Sequence, residues 1–299
     1  MKVTLSAVVL LMVAACGALP HPVPGNAHPS PPTSALVAWD SFPATHVPRP
    51  IIALWEIRPT GGGYTANDGK IAGFCNKFLL SAVLPAQVQA QAMATWANGT
   101  SATYPSISAA DAFFAMSHAP TEMQSQDCAR VPPLNVTGVR FGTAQITTDR
   151  GAASVSAWLF ESPGVMGDVP YPALPRSAFW NSSLTNLSLD ESANVSPDGR
   201  AVTFHFAGAP PTAGPCGAEY SGALAESSSA VAVAVLAIPH ESSGGPVACT
   251  AIAAFRSVTV SLATPLGGRV VLNASGSAVE ACPDASAPAN GLPASTARC

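Results

Sequence analysis

The sequence predicts a mainly β protein built of two β-rich modules, and three observations point that way. Charged residues make up only 10% of the 299-residue chain, against roughly 25% in an ordinary soluble domain, whereas long solvent-facing helices draw on Glu, Lys and Arg. The chain holds 29 prolines and 24 glycines, the residues that punctuate strands. Short apolar runs alternate with polar residues and are broken by turn signals at intervals of roughly 8–12 residues. The C-terminal module is expected to be an immunoglobulin-like β-sandwich. The N-terminal one is expected to be β with one or two short helices.

Residues 1–15 read as a signal peptide: Lys2, a nearly continuous apolar run from Val3 to Val13, then the small residues Ala14 and Ala15. The run is too short for a membrane span, which takes about 20 residues. Val13-Ala14-Ala15-Cys16 resembles a bacterial lipobox, in which cleavage falls before a cysteine that carries a diacylglycerol thioether. Ordinary cleavage after Ala15 or Ala18 is the alternative. Residues 16–35 hold six prolines and form a linker, a composition that is semi-rigid and extended. The expected location is the outer face of the cell membrane, held through a lipid on Cys16.

The first module spans residues 36–180. "ALVAWDSFPA" and "RPIIALWEIRP" read as strands, and "TGGGYTANDGK" as a glycine turn followed by an Asn-Asp-Gly turn. Leu84 to Trp96, rich in Ala and Gln, is the best helix candidate; Ser108 to Ala119, capped by Ser108, is the second. The clearest hairpin follows, with Val139, Phe141 and Thr143 alternating on one arm and Val155, Ala157 and Leu159 on the other, around Asp149-Arg150-Gly151. The second module spans residues 181–282. It opens on a Pro-Asp-Gly turn and a strand with Val202, Phe204 and Phe206 on one face, followed by strands in "SSSAVAVAVLAI" and on both sides of "TPLGGR". Residues 283–299 form a tail that ends in cysteine.

The chain has seven cysteines, an odd count for an exported protein. With Cys16 lipidated, Cys75, Cys128, Cys216, Cys249, Cys282 and Cys299 remain to pair. Spacing alone does not fix the pairing; nesting within modules favours Cys75–Cys128, Cys216–Cys249 and Cys282–Cys299. Six Asn-x-Ser/Thr sequons, at Asn98, Asn135, Asn181, Asn186, Asn194 and Asn273, keep a soluble secreted glycoprotein as an alternative.

Catalytic signals are weak. The sequence contains no GxSxG, SxxK or HExxH motif and no phosphate-loop frame around Gly61-Gly62-Gly63. The six histidines never fall at metal-ligand spacing, and no Cys/His spacing suits zinc, so neither metal nor cofactor is expected. No Lys/Arg cluster is present to neutralise phosphates, which argues against nucleic-acid binding. Trp39 and Trp158 are candidate ligand contacts, with burial in a core or between modules as the alternative. His205, between Phe204 and Phe206, should face away from them toward solvent.

The strings "PRPII", "VTGVRFGTAQITTDRG" and "CGAEYSGALAES", and above all the Arg256 to Arg269 pattern R-x-V-T-V-x-L-x-x-PLG-x-R, resemble a group of uncharacterised exported proteins and lipoproteins of actinobacteria. The resemblance implies an envelope location, an all-β C-terminal half and no assigned activity. The function expected is non-catalytic: a tethered β domain that binds a protein or glycan partner. The rival is an extracytoplasmic hydrolase whose site assembles from residues distant in sequence.

Overall fold

The computed structural model describes residues 30–53, 59–86, 90–120, 125–180, 191–240, 247–250 and 252–283. The chain is mainly β. Its first half contains β1 (Gly63–Tyr64), α1 (Asn67–Phe74), β2 (Phe78–Leu80), β3 (Gln91–Trp96), β4 (Ser101–Pro105), α2 (Ala109–Ser117), α3 (Ser125–Arg130), β5 (Leu134–Val136), β6 (Gly138–Thr148), β7 (Gly151–Glu161), β8 (Val165–Met166) and β9 (Asp168–Pro172). The main sheet runs β4-β3-β7-β6, and β9 also pairs with β7. Parallel β2–β5 and antiparallel β1–β8 pairs lie beside it.

The β6–β7 hairpin forms as its alternation predicts, in continuous antiparallel register from Gly138↔Glu161 to Thr148↔Gly151. The Thr148 hydroxyl accepts from the Arg150 N–H and donates to the Gly151 carbonyl. Gly151 takes a φ of 92°, which a side chain would strain. Both faces of β7 are covered: Val155 on one and Trp158 and Phe160 on the other are almost fully buried. α2 also forms as expected, with the Ser108 hydroxyl accepting from the Asp111 N–H at 3.0 Å.

Three expected elements differ. The proposed helix over Leu84–Trp96 is a strand at Gln91–Trp96, because Ala92, Ala94 and Trp96 alternate into the core and tertiary packing outweighs the helix propensity of Ala and Gln. The Asn-Asp-Gly turn is the first turn of α1. The strand expected in "ALVAWDSFPA" is a 3-10 helix, Thr33–Trp39, which begins inside the proline-rich linker and buries Ala35, Leu36 and Trp39.

The second half contains β10 (Ser192–Val195), β11 (Ala201–Gly208), β12 (Ala218–Glu226), β13 (Ala230–Pro239), β14 (Ala254–Ser261), β15 (Val270–Leu272) and β16 (Glu280–Pro283). They form two sheets, β14-β11-β10-β16 and β12-β13-β15. Val202, Phe204, Val258 and Val260 of the first sheet share a core with Val231, Val233 and Val271 of the second. Two pairs are parallel, β10–β16 and β13–β15.

The core does not divide at residue 180. Ala35, Leu36, Trp39, Phe42 and Ile52 pack with Ala225, Ala230, Ala232, Val270 and Leu272, so the N-terminal segment lies against the second half.

Candidate functional site

Sequence singled out two tryptophans as ligand contacts, and the structure places both in the core. Trp39 is fully buried and donates its indole N–H to the Gly276 carbonyl at 2.9 Å. Trp158 is 2% exposed and donates to the Ile107 carbonyl, also at 2.9 Å. Each ring fills a gap between elements distant in sequence, which leaves no face for a ligand. His205 is half-buried, with Nε2 3.0 Å from the Asn194 Oδ1, rather than open to solvent.

The cysteines pair within their halves: Cys75–Cys128 and Cys216–Cys249 are disulfides. Cys282 is also disulfide-bonded. Cys16 and Cys299 lie outside the described residues, as do the sequons at Asn181 and Asn186.

A depression of about 590 Å³ opens beside Cys75–Cys128, between Phe78, Phe113, Lys77, Asn76, Ser117 and His118. Its polar groups are mostly engaged. Lys77 Nζ donates to the Val131 and Cys128 carbonyls. The Ser117 hydroxyl donates to the Phe113 carbonyl at 2.8 Å, and His118 Nδ1 lies 2.9 Å from the Phe114 carbonyl. A nucleophile needs a base that is itself oriented by a third group, and among the described residues Ser117 and His118 bond to backbone carbonyls and to each other. Among the described residues, no group of three or more His, Cys, Asp or Glu side chains could hold a metal.

A polar cluster that sequence did not single out lies where the two halves meet. Arg49 and Asp149 form a buried ion pair at 2.5 Å, and Arg49 Nε donates to the Gly268 carbonyl at 2.6 Å. The Asp149 N–H donates to Ile52, and its carbonyl accepts from Ala281. Arg150 stacks on the Trp96 ring, 3.8 Å from its centroid. Burial pulls the Arg150 pKa down and pushes that of the nearby-charged Tyr104 up. The one available signal was that ionised residues are rare in this chain, so an Arg between two prolines and an Asp-Arg pair in a hairpin turn stand out.

The two ends of the second half differ. At one pole, the 3-10 helix Thr33–Trp39 packs against the β12–β13 turn region. At the other, Glu219 of β12 pairs with Ile238 of β13 and lies 3.4 Å from Arg256 Nη2 and 3.7 Å from His240 Nε2. Phe255 precedes that arginine, while Val247 and Ile252 flank the Cys216–Cys249 bridge. Ile238, Val247, Ile252 and Phe255 are 48–67% exposed. β13 spans the distance between the poles in ten residues, about 30 Å at strand rise.

No family model, curated protein or solved structure matches the chain.

Proposed function

We propose that the protein is a non-catalytic, envelope-tethered binding protein that presents the Ile238–Phe255 pole to a protein partner outside the membrane. The carrying observation is the opposition of the two poles. The N-terminal segment, itself carrying the exposed Val37, lies against one end of the second half, and Ile238, Val247, Ile252 and Phe255 are exposed toward the other. A lipid at Cys16, as the resemblance to exported actinobacterial proteins implies, would place the apolar pole farthest from the bilayer. Clustered exposed apolar residues mark interaction sites. A protein partner suits Ile238, Val247 and Ile252 better than a glycan does, since glycan stacking calls on broad aromatic faces and Trp39 and Trp158 are buried. The Cys75–Cys128 and Cys216–Cys249 disulfides fit an extracytoplasmic location.

The immunoglobulin-like reading of the second half draws support from its four-plus-three strands and its antiparallel β11–β14 ladder. The parallel β10–β16 and β13–β15 pairs depart from that all-antiparallel plan.

Two measurements test the proposal. The mass of the mature N-terminal peptide from the native host should show a diacylglyceryl adduct on Cys16; an unmodified peptide overturns the anchor. A photo-crosslinking residue at position 255 should give one discrete protein adduct in intact cells, and that adduct should vanish in the Ile252→Ser background. The same residue at exposed position 37, on the tether pole, should give none. Equal adducts from both positions, or none from 255, overturn the binding pole.

A further inference from the structure

The β3–β4 hairpin turns through Trp96-Ala97-Asn98-Gly99-Thr100, and every residue from Ala97 to Thr100 is exposed. The Trp96 N–H donates to the Thr100 carbonyl and the Gly99 N–H to the Trp96 carbonyl, both at 2.9 Å. Gly99 takes a φ of 81°, and a Cβ built on it would meet nothing within 4 Å. The Asn98 side chain bends onto the chain that follows it. Its Oδ1 accepts from the Thr100 N–H at 2.9 Å and from the Thr100 hydroxyl at 2.7 Å. Among the described residues its Nδ2 has no hydrogen-bond partner.

Other asparagines are held differently. Asn76 and Asn273 donate from Nδ2, to the Ala119 carbonyl and the Glu191 carboxylate. Asn194 lies against His205, and Asn135 accepts from the Ser81 hydroxyl. None of these four precedes a glycine. A second hairpin tip repeats the Asn98 arrangement with a carboxylate in place of the amide. In Ser196-Pro197-Asp198-Gly199-Arg200, the Gly199 N–H donates to the Ser196 carbonyl at 2.8 Å, Gly199 has a φ of 71°, and Asp198 Oδ1 accepts from the Arg200 N–H at 3.0 Å. A turn of this form therefore accommodates aspartate where Asn98 stands.

We propose that Asn98 is a self-modification site, at which the Gly99 nitrogen attacks the side-chain amide and the amide ends as a carboxylate. A bond forms between Gly99 N and Asn98 Cγ, and the Gly99 N–H proton passes to water. The Cγ–Nδ2 bond breaks, and Nδ2 departs as ammonia. Water then opens the five-membered imide at one of its two carbonyls, which gives aspartate or isoaspartate. Negative charge develops on Oδ1 during the attack, and the two Thr100 donors already point at that oxygen. Preorganised donors of this kind stabilise an oxyanion. Glycine puts no side chain beside the attacking nitrogen. The attack gives up one exposed hydrogen bond, from Gly99 to Trp96. At Asp198 the same turn is inert: the Ser196 hydroxyl and the Arg200 N–H favour the ionised carboxylate, which repels a nucleophile and has no amine to lose. Each event at Asn98 adds one negative charge to an exposed turn, so the hairpin tip records the age of the molecule. The site is independent of the apolar pole.

The test is peptide mapping by mass spectrometry of the full mature chain, kept folded in mildly alkaline buffer for increasing times, beside a sample unfolded in urea. The Asn98 peptide should gain the mass of an NH2-to-OH exchange in the folded chain, while the Asn194 and Asn273 peptides should not. Asn290-Gly291 has the same dipeptide, lies outside the described residues and falls in a separate peptide. Thr100→Val removes one of the two donors to Oδ1 and should slow conversion about tenfold. Thr100→Ser keeps the hydroxyl and should convert at the wild-type rate. An Asn98 amide that stays intact in the folded chain while it converts in urea overturns the proposal. So does a glycan on Asn98 in protein from the native host, or an equal rate in Thr100→Val. The wild-type time course decides even if a variant does not fold.

Discussion

Arg49 and Asp149, 100 residues apart in sequence, close a buried ion pair whose side chains are 7% and 2% exposed. Arg49 reaches a third region as well, donating to the Gly268 carbonyl. The fit there is tight: a Cβ on Gly268 would fall 2.0 Å from the Ala44 carbonyl oxygen. One side chain therefore joins the N-terminal segment, the β6–β7 turn and the "TPLGGR" loop.

Removing one partner of this pair leaves an uncompensated buried charge. Arg49→Met should cost about 3–5 kcal/mol in urea unfolding, whereas the double variant Arg49→Met, Asp149→Leu should recover most of that loss. A double variant as unstable as the single one would show that the charge pairing is not what holds the junction.

Trp39 should behave as a core residue. Trp39→Phe keeps most of the ring but leaves the Gly276 carbonyl without its donor, a loss of about 1–3 kcal/mol. Trp39→Ala should cost about 3–5 kcal/mol. Partner capture from position 255 should be unaffected by Trp39→Phe under conditions where the protein remains folded.

Phe255 should show the opposite profile. It is 59% exposed, so Phe255→Ser should change stability by no more than about 0.5 kcal/mol. Partner binding should nevertheless fall. A variant that binds normally would sink the assignment of this pole.

The disulfides close loops with sequence separations of 53 and 33, for which chain entropy gives about 4 kcal/mol each. Cys75→Ser with Cys128→Ser, and separately Cys216→Ser with Cys249→Ser, should lower the urea midpoint by comparable amounts. Only the second pair flanks the apolar pole, so only its loss should also weaken partner binding in the folded protein.

Acid should destabilise the second half. At Glu226, burial pushes the pKa up, but the Ala263 N–H at 2.8 Å and Arg269 at 2.7 Å outweigh it and hold the carboxyl below its usual range. At Asp198, the Ser196 hydroxyl and the Arg200 N–H do the same. A folded pKa below the unfolded one gives stability that is present above the unfolded value and lost as pH falls through the folded value. Unfolding free energy contributed by these groups should hold from neutrality to about pH 5 and decline below about pH 4. Glu226→Gln should flatten part of that decline, and an unchanged slope would assign it elsewhere.

The parts of the fold that could be read from sequence were those in which local pattern and final packing agree. The β6–β7 hairpin alternates on both arms and carries its own turn, and α2 has Ser108 as its cap. Gln91–Trp96 misled because Ala and Gln favour helix while its alternate residues are buried, a conflict that only the neighbouring strands resolve. The Asn-Asp-Gly sequence of α1 likewise carries turn chemistry into a helix start. The tryptophans were ambiguous for a physical reason: a large ring suits a core and a ligand face equally, and burial decides between them. The Arg49–Asp149–Arg150 cluster could not be assembled from sequence at all, since its members meet only through long-range folding. Their rarity in a charge-poor chain was the one local sign.

The side-by-side, parallel pairing of β10 with β16 has a temporal consequence. These are the first and last strands of the second half among the described residues, and Ser192 is matched with Glu280. Trp39, near the start of the described chain, likewise waits for Gly276 near its end. A polypeptide emerging N-terminus first cannot complete either contact until Gly276 and Glu280 are out. Long-range pairings of this kind form late. The second half would thus close only once β16 is released, more than 80 residues after β10.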